Sequence, residues 1–599
     1  MKIKNQNAKI KISGQNLKIR TFSFLLVFLT FTFALFPSPT YAIVDPLAVP
    51  NNKYGIHILT DSKQDAEGAA GLVNSSGGDW GYITLLIESN NRDLNRWQAF
   101  FNELRKKHLI PIVRIATKPV NAHWEVPYNG EEAPVADFLD KLIWPTKNRY
   151  VVIYNEPNHG QEWGKTTDPA AYAKVLDKTI DALKNKSSDF FVLNAGLDAS
   201  TPHEPPDFYD EEKFLTEMNL AVPGIFNKLD GWVSHSYPNP GFKGKPTDTG
   251  RGSVHSYQWE LDVLKQMGVT KDLPVFITET GWKHSEGLKK DNFFPSVEIV
   301  AEYYKQAFEN VWNDSRIIAV TPFILNYQEA PFDHFSFKKI TGEKQRLPAN
   351  GQIVLGIEYP EFYPAYQVLS ELGKIKGSPI QESKASLVKG GIYKTLVSGE
   401  SYTITLTVKN TGQSIWAPES KVMLVPVKGG SELGISLVEI TSSIEPGQDY
   451  TFSINVKAPL SGSFITELNL FKDGREFDSG RFQFASEVSS PVALRIKTSV
   501  PWGNDPVGSY LLGIGGVTGT SIQNVLLDSR GLSSEITSKN LLPGYEFDFT
   551  LEKPFYHSKV VHGRVESGVN TIDFGELQPD FLAALLNPGE LWKLLPFSK

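Results

Sequence analysis

Eight short, nearly continuous apolar runs recur between residues 50 and 376, and this repetition constrains the fold more than any other feature. They are Tyr54–Leu59, Gly81–Ile87, Ile110–Ile115, Tyr150–Tyr154, Phe190–Asn194, Gly231–His235, Pro274–Thr278 and Ile317–Ile324. Segments with apolar residues at helical spacing separate them. Apolar strands joined by helices are typical of a parallel sheet buried on both faces. The pattern predicts an α/β fold, a (β/α)8 TIM barrel over residues 43–376, with a doubly wound sheet as the alternative.

The periodicity changes after Pro379. Residues 402–408 and 450–456 alternate apolar and polar side chains with period two, and turn signals such as Pro446-Gly447 separate such segments. This pattern predicts antiparallel sandwiches. We therefore expect two all-β sandwich domains after the barrel, at 385–487 and 490–575, and a C-terminal tail at 576–599 to which the sequence assigns no role.

The first 42 residues have the layout of a secretory signal peptide. Six basic residues and no acidic residue precede an apolar run at 21–36, and small residues at Thr40 and Ala42 suit a signal peptidase. The run is shorter than the roughly 20 residues of a membrane-spanning helix. We expect cleavage and a secreted or cell-surface protein, with an uncleaved N-terminal anchor as the alternative.

Charge and cysteine content exclude several classes of function. The chain has 60 basic and 67 acidic residues and no cysteine. Without residues 1–42 the formal net charge is about −13, which disfavours nucleic acid but not a carbohydrate polymer. Disulfides, thiolate catalysis and cysteine-based zinc sites are excluded. We expect no cofactor and no metal, and the sequence leaves the oligomeric state open.

Two glutamates end predicted strands on opposite sides of the predicted barrel. Glu156 ends the fourth strand in Tyr154-Asn-Glu-Pro-Asn158, and Glu279 ends the seventh in Ile277-Thr-Glu-Thr-Gly-Trp282. Catalytic groups of TIM barrels lie at the carboxyl ends of strands. A retaining glycosidase needs two carboxyl groups about 5–5.5 Å apart, one as nucleophile and one as acid and then base. A solvated loop residue is the ordinary alternative for each glutamate alone.

Five neighbours of the two glutamates are candidate substrate-binding residues. Asn155 could bond a sugar 2-hydroxyl, and Tyr237 could donate a hydrogen bond to the carboxylate that ends the seventh strand. Trp282 could form a flat floor for stacking. His235 and Tyr237 could instead fill the top of the barrel, and His57 is equally well explained as a core histidine.

At Tyr154–Asn158 and Phe276–Trp282 the sequence resembles clan A glycoside hydrolases, the superfamily of cellulases, β-mannanases, β-xylosidases and β-galactosidases. The resemblance implies that Glu156 is the acid/base and Glu279 the nucleophile, and that His235 and Tyr237 form the His-x-Tyr motif of strand six. It also implies retention of anomeric configuration.

The sequence departs from the clan pattern at two strands. The clan often has an arginine near the end of strand two, whereas the nearest arginine here is Arg114 on strand three. It often has a tryptophan on strand eight, where this chain has Phe323, Asn326 and Tyr327.

The β-rich region also carries resemblances. Residues 385–485 resemble an Ig-like domain type through Asn410-Thr-Gly412 and Trp416, although a core role for Trp416 is preferred. Such modules act as spacers or interaction units, and 490–575 resembles small sandwiches of bacterial surface proteins. The resemblances imply cell-surface association through the C-terminal β-domains.

The leading hypothesis is a secreted enzyme that hydrolyses O-glycosidic bonds in a β-linked polysaccharide or oligosaccharide by double displacement. A non-catalytic glycan-binding cell-surface protein would bind glycans without turnover. A transglycosylase would use the same residues and differ in the acceptor that reaches the glycosyl-enzyme.

Overall fold

The computed structural model describes residues 43–340, 361–501, 505–538 and 540–586. The chain divides between Ile380 and Gln381 into two compact units. The predicted signal peptide at 1–42 and most of the predicted tail lie outside the described residues. None of the helices in these ranges is long and apolar enough to cross a membrane.

The first unit alternates eight strands with eight helices. The strands are β1 (Gly55–His57), β2 (Gly81–Glu88), β3 (Leu109–Ala116), β4 (Arg149–Ile153), β5 (Phe190–Leu193), β6 (Trp232–His235), β7 (Val275–Glu279) and β8 (Ile317–Val320). The helices are α1 (Lys63–Val73), α2 (Leu94–Lys106), α3 (Glu132–Lys141), α4 (Pro169–Lys186), α5 (Glu211–Ala221), α6 (Ser256–Gln266), α7 (Val297–Gln306) and α8 (Pro364–Glu371). The loops also contain short elements, namely the hairpin Pro119–Val120 with His123–Trp124, the 3-10 turns Gly160–Glu162, Ile225–Lys228 and Asp333–Phe335, and the π turn Ala307–Val311.

Within the described residues, the eight strands β1 to β8 pair in parallel, and the short hairpin Pro119–Val120 with His123–Trp124 is antiparallel. β1 to β5 form one sheet in chain order, and β6, β7 and β8 form a second. Parallel bridges join Tyr54 to Val320 and Leu193 to Gly231, so the two sheets are linked at both edges. The strands thus pair around a ring, and their carboxyl ends share one rim. The predicted α/β class with a parallel sheet is confirmed.

Local sequence signals account for several helix starts. Asp168 caps α4 by accepting the backbone N–H of Ala171, and Pro169 follows at the first helical position. Ser62 and Asp93 cap α1 and α2 in the same way. These caps fix where each helix begins after its loop.

Two apolar clusters hold the first unit together. One lies between strands and helices and includes Ile83, Val113 and Phe101. The other consists almost entirely of strand side chains, among them Ile112, Tyr150 and Phe276. Because neighbouring strand residues point to opposite faces, the second cluster fills the inside of the ring. A packed interior leaves the rim as the place for a site.

The second unit contains four antiparallel or mixed sheets. Its strands are Ala385–Gly390, Thr395–Val397, Ser401–Asn410, Met423–Lys428, Val438–Glu439, Asp449–Lys457, Gly462–Lys472, Arg475–Ser489, Val492–Ser499, Gly508–Gly516, Gly519–Leu527, Ile536–Thr537, Glu546–Glu552, Lys559–Arg564 and Gly568–Glu576. A 3-10 turn, Pro418–Ser420, and a short helix, Phe581–Leu585, complete it. Trp416 is fully buried against Phe477, which is the preferred core role. The division into two separate sandwiches stays a prediction.

Candidate active site

The two predicted glutamates meet at the rim formed by the carboxyl ends of the strands. Glu156 follows β4 and Glu279 ends β7. One carboxylate oxygen of each and one ring nitrogen of His235 all lie within 4.8 Å of one another. The structure therefore brings together the two acidic groups that the sequence places at opposite strands.

The loop that carries Glu156 has an unusual backbone. Tyr154 has φ = 68° and Glu156 has φ = 30°, in the left-handed region that side chains other than glycine rarely adopt. Such conformations cost roughly 1–3 kcal/mol each and persist where the surroundings hold them. The Glu156 N–H donates to the Gly196 carbonyl at 3.1 Å, which ties the loop to the segment after β5. The Glu156 side chain is 19 % exposed, so it can reach a substrate.

Four side chains surround the carboxylate of Glu279, namely Arg114, Tyr237, His57 and His235. Arg114 Nη1 donates to Oε1, and the Tyr237 hydroxyl donates to Oε2 at 3.0 Å. His57 Nε2 lies 3.8 Å from Oε1. The hydrogen bond from Tyr237 is the one the sequence predicts, and Arg114 reaches the same carboxylate from strand three. Both carboxylate oxygens are thereby fixed in orientation.

The charge of this carboxylate follows from its neighbours. Burial alone would raise its pKa, but His235 and Arg114 outweigh burial and lower the pKa of Glu279 to about 2. Burial lowers the pKa of His57 to about 3, so this imidazole is neutral at neutral pH. Glu279 is therefore ionised across the physiological range.

His235 connects the two glutamates. Its Nδ1 lies 2.7 Å from Glu156 Oε1 and 3.8 Å from Glu279 Oε2, and its side chain is completely buried. Burial lowers the pKa of this imidazole, but the carboxylates of Glu279 and Glu156 more than reverse the effect and raise it. The imidazole therefore lies between the two carboxyl groups and contacts both of them.

Asn155 belongs to the same network. Its side-chain oxygen accepts a hydrogen bond from Arg114 at 2.6 Å, and its side chain also bonds the carboxyl group of Glu162. The predicted contact of Asn155 with a sugar hydroxyl stays a prediction. His57 is buried beside Glu279 with its ring 5.2 Å from that of Phe323, and its predicted contact with substrate is likewise untested.

Glu162 is a third carboxyl group at this site that sequence reasoning missed. It lies in the turn Gly160–Glu162, past the end of β4. Burial and the nearby Glu156 carboxylate raise the pKa of Glu162 to about 7. Glu162 does not lie at the end of a strand, so strand ends do not indicate it. Its closeness in sequence to the Asn-Glu-Pro motif is the feature that could have indicated it.

The interpretation of Trp282 as a stacking floor is wrong. Its side chain is 1 % exposed and is packed against Tyr303, Tyr304 and Trp312. Its indole N–H donates to the Gly244 carbonyl at 2.6 Å. No ring face is free for a sugar, so Trp282 anchors the loop after β7 to the loop after β6.

Aromatic rings near β8 are better placed for stacking. Phe323 and Tyr327 are partly exposed, and Phe332 is 40 % exposed. Phe332 contacts both of the other rings edge-on. Asn326, by contrast, is buried and accepts a hydrogen bond from Gln328.

An open cavity of about 590 Å³ lies among the loops after β5 and β6. Its walls include Thr201, Asp210, Asn239 and Arg251. Thr201 bonds His159 in the Glu156 loop, and the Asn239 N–H donates to the Tyr237 carbonyl. The cavity is therefore built from segments that also position the two glutamates.

Glu156, His235 and Glu279 are also arranged so that each could offer one ligand atom to a metal ion. The raised pKa of His235 favours its protonated form, and Arg114 already occupies Oε1 of Glu279. Both features oppose the binding of a metal cation by these three groups. The same three groups fit acid–base chemistry without that conflict.

Comparisons with known proteins return solved structures alone. No family model matches the sequence. No curated protein matches it either. One similar structure, a GH128 (subgroup II) endo-β-1,3-glucanase from Pseudomonas viridiflava, is 14 % identical, with 53 % of this chain and 97 % of that chain covered and a TM-score of 0.34. A family 39 glycoside hydrolase from Bacteroides cellulosilyticus WH2 is 14 % identical, with 70 % and 81 % covered and a TM-score of 0.35. A GH5_18 protein from Bifidobacterium longum subsp. infantis is 11 % identical, with 58 % and 83 % covered and a TM-score of 0.37.

Proposed function

We propose that this protein is a retaining glycoside hydrolase whose ring of eight strands is a (β/α)8 barrel. The observation that carries the proposal is the pair of glutamates at the rim, which have carboxylate oxygens within 4.8 Å of each other. Retaining glycosidases hold their two carboxyl groups about 5–5.5 Å apart, whereas inverting ones leave about 6.5–9.5 Å for a water molecule.

The surroundings of each glutamate suggest its role in a double displacement. Glu279, held ionised by Arg114 and His235, attacks the anomeric carbon and forms a glycosyl ester. Glu156, more exposed than Glu279, donates a proton to the departing glycosidic oxygen. In the second step Glu156 takes a proton from water as the water attacks the anomeric carbon, and the bond to Glu279 breaks.

The substrate that we propose is a β-linked polysaccharide or oligosaccharide. The partly exposed rings of Phe323, Tyr327 and Phe332 support stacking on sugar faces. The open cavity beside Asn239 supports the binding of more than one sugar unit. The resemblance to clan A enzymes supports the β linkage. The layout of residues 1–42 supports export of the protein to the cell surface or the medium.

A covalent trap tests the proposal. The full chain is incubated with a panel of aryl 2-deoxy-2-fluoro-β-glycosides, and peptide mapping by mass spectrometry identifies the labelled residue. We expect one sugar of the panel to label Glu279 and the product of an unmodified aryl glycoside to keep its β configuration by NMR. Glu279→Gln should lower turnover by several orders of magnitude, while the exposed-site control Glu309→Gln should leave it unchanged.

Other outcomes identify the alternatives. Sugar transfer to an added acceptor in place of water would identify a transglycosylase. Glycan binding without label or turnover would identify a non-catalytic glycan-binding protein. An inverted product would reject the retaining mechanism.

A further inference from the structure

Lys283 lies in a ring of aromatic side chains next to the catalytic pair. It follows β7 four residues after Glu279, and its backbone N–H donates to the Phe242 carbonyl at 3.2 Å. Its ammonium nitrogen lies 5.0, 5.4 and 5.5 Å from the ring centroids of Phe242, Phe335 and Phe294. The three rings come from the loops after β6, β8 and β7, so the lysine lies where three rim loops meet.

The aromatic ring around this lysine touches the catalytic machinery directly. The ring centroid of Tyr237 is 5.1 Å from that of Phe242 and 5.9 Å from that of Phe335. The hydroxyl of Tyr237 in turn donates to Glu279. Two side chains, Phe242 or Phe335 and then Tyr237, therefore connect the lysine to the nucleophile.

The ammonium of Lys283 is partly desolvated. Burial lowers its pKa, and Asp333 opposes this shift only in part. The Asp333 carboxylate accepts the Leu288 N–H at 2.7 Å. In the part of the chain that the structure describes, neither Lys283 nor Lys243 forms an ion pair. Lys243 Nζ lies 3.3 Å above the ring of Phe293, which is 60 % exposed.

Lys243 and Lys283 thus lie on neighbouring rings, since the ring centroids of Phe293 and Phe294 are 5.4 Å apart, on a chain with an overall negative formal charge. A hydroxyl of a neutral sugar can accept a hydrogen bond from this ammonium, but an anionic substituent adds the charge pairing that the partly desolvated cation lacks. We propose that the substrate is a glycan bearing carboxylate or sulfate groups, and that Lys283 pairs with such a group on a sugar bound beside Glu156 and Glu279. This inference rests on the glycoside hydrolase function proposed above.

Matched glycan pairs test the inference with the full chain. One pair is a β-linked uronate polymer and its carboxyl-reduced form, and the other is a sulfated β-galactan and its desulfated form. We expect one acidic member to be bound more tightly in affinity gels, and cleaved with a higher kcat/KM, than its neutral partner. The pair that shows the difference identifies carboxylate or sulfate as the recognised group.

Variants separate recognition from folding. Lys283→Met should lower kcat/KM for the preferred acidic member about tenfold or more and leave the neutral member within about twofold. Lys265→Met, on an exposed turn of α6, should change neither value. Equal binding and cleavage within both pairs, or equal effects of Lys283→Met on both members, would overturn the inference while the proposed hydrolase stands. Failure of the fluoroglycosides to label Glu279 would instead reject the hydrolase, and the inference with it.

Discussion

His235 Nδ1 lies 2.7 Å from Oε1 of Glu156, and the imidazole that makes this contact packs directly against the backbone of Gly196. A Cβ atom on Gly196 would lie 2.1 Å from His235 Cδ2 and 2.3 Å from Nε2. Real Cβ contacts are never this short, so the glycine defines the position of the ring. The placement of Glu156 thus depends on the absence of one methyl group.

The variant Gly196→Ala should therefore displace His235 and misplace Glu156. A shift of about 1 Å in a catalytic group can lower the rate about 100-fold, and we expect a fall of that order in kcat/KM. Assays on an aryl glycoside and thermal unfolding measure the two effects. Gly373→Ala is the matched control, because a Cβ atom there meets nothing within 4 Å. Full activity of Gly196→Ala would show that the ring position does not matter.

Arg114 should determine how acidic Glu279 is. Removal of the guanidinium in Arg114→Met leaves a buried carboxylate with fewer cationic partners, so the pKa of Glu279 should rise. The acidic limb of the kcat/KM profile should then move to higher pH. Breaking a buried pair typically costs about 3–5 kcal/mol of unfolding free energy, and urea unfolding should show a loss of this order.

The pH dependence of fold stability gives a second measurement on the same variant. The depressed pKa of Glu279 stabilises the fold above the ordinary carboxyl pKa, and this contribution is lost as pH falls towards 2. In Arg114→Met the contribution should be smaller, and its loss should be complete at a higher pH. Arg149→Met, which removes a pair with Asp140 outside the site, is the control. An acidic limb of the kcat/KM profile that stays unchanged in Arg114→Met would contradict the inference that Arg114 lowers the pKa of Glu279.

Glu162 should make stability fall as pH rises through neutrality. A carboxyl group with a raised pKa stabilises the fold while it is protonated, below its ordinary pKa, and the contribution is lost as pH rises through about 7. Glu162→Gln removes this loss, so its unfolding free energy relative to wild type should increase between about pH 5 and pH 8. Urea unfolding at several pH values measures the difference. The exposed-site variant Glu302→Gln should show no such trend, and a flat difference for Glu162→Gln would refute the prediction.

Strand-end reasoning located the two glutamates because apolar runs show where parallel strands end. Those ends share one rim in any parallel ring, so Glu156, Glu279, His235 and Tyr237 could be placed together without side-chain detail. Glu162 could not be found in this way, because its position depends on how a loop turns back over the rim.

Side-chain direction beyond a strand end is the other property that the sequence does not fix. Gly281 lies between Glu279 and Trp282 with φ = 136°, and a Cβ atom there would lie 2.2 Å from the Tyr304 hydroxyl. This turn sends the indole of Trp282 among the side chains of α7 and away from the rim. Periodicity predicts that a loop begins here, but not which way the loop turns.

Trp282→Phe should accordingly change stability and not substrate binding. The variant keeps an aromatic ring in the buried cluster but loses the hydrogen bond to the partly buried Gly244 carbonyl, a loss of about 0.5–1.5 kcal/mol. Urea unfolding should show this loss, while KM for an oligosaccharide stays within about twofold. Phe332→Ala, at a 40 % exposed ring, should show the opposite pattern, with a raised KM and little change in unfolding. A raised KM for Trp282→Phe without loss of stability would restore the stacking role, because a buried anchor acts on binding only through the fold.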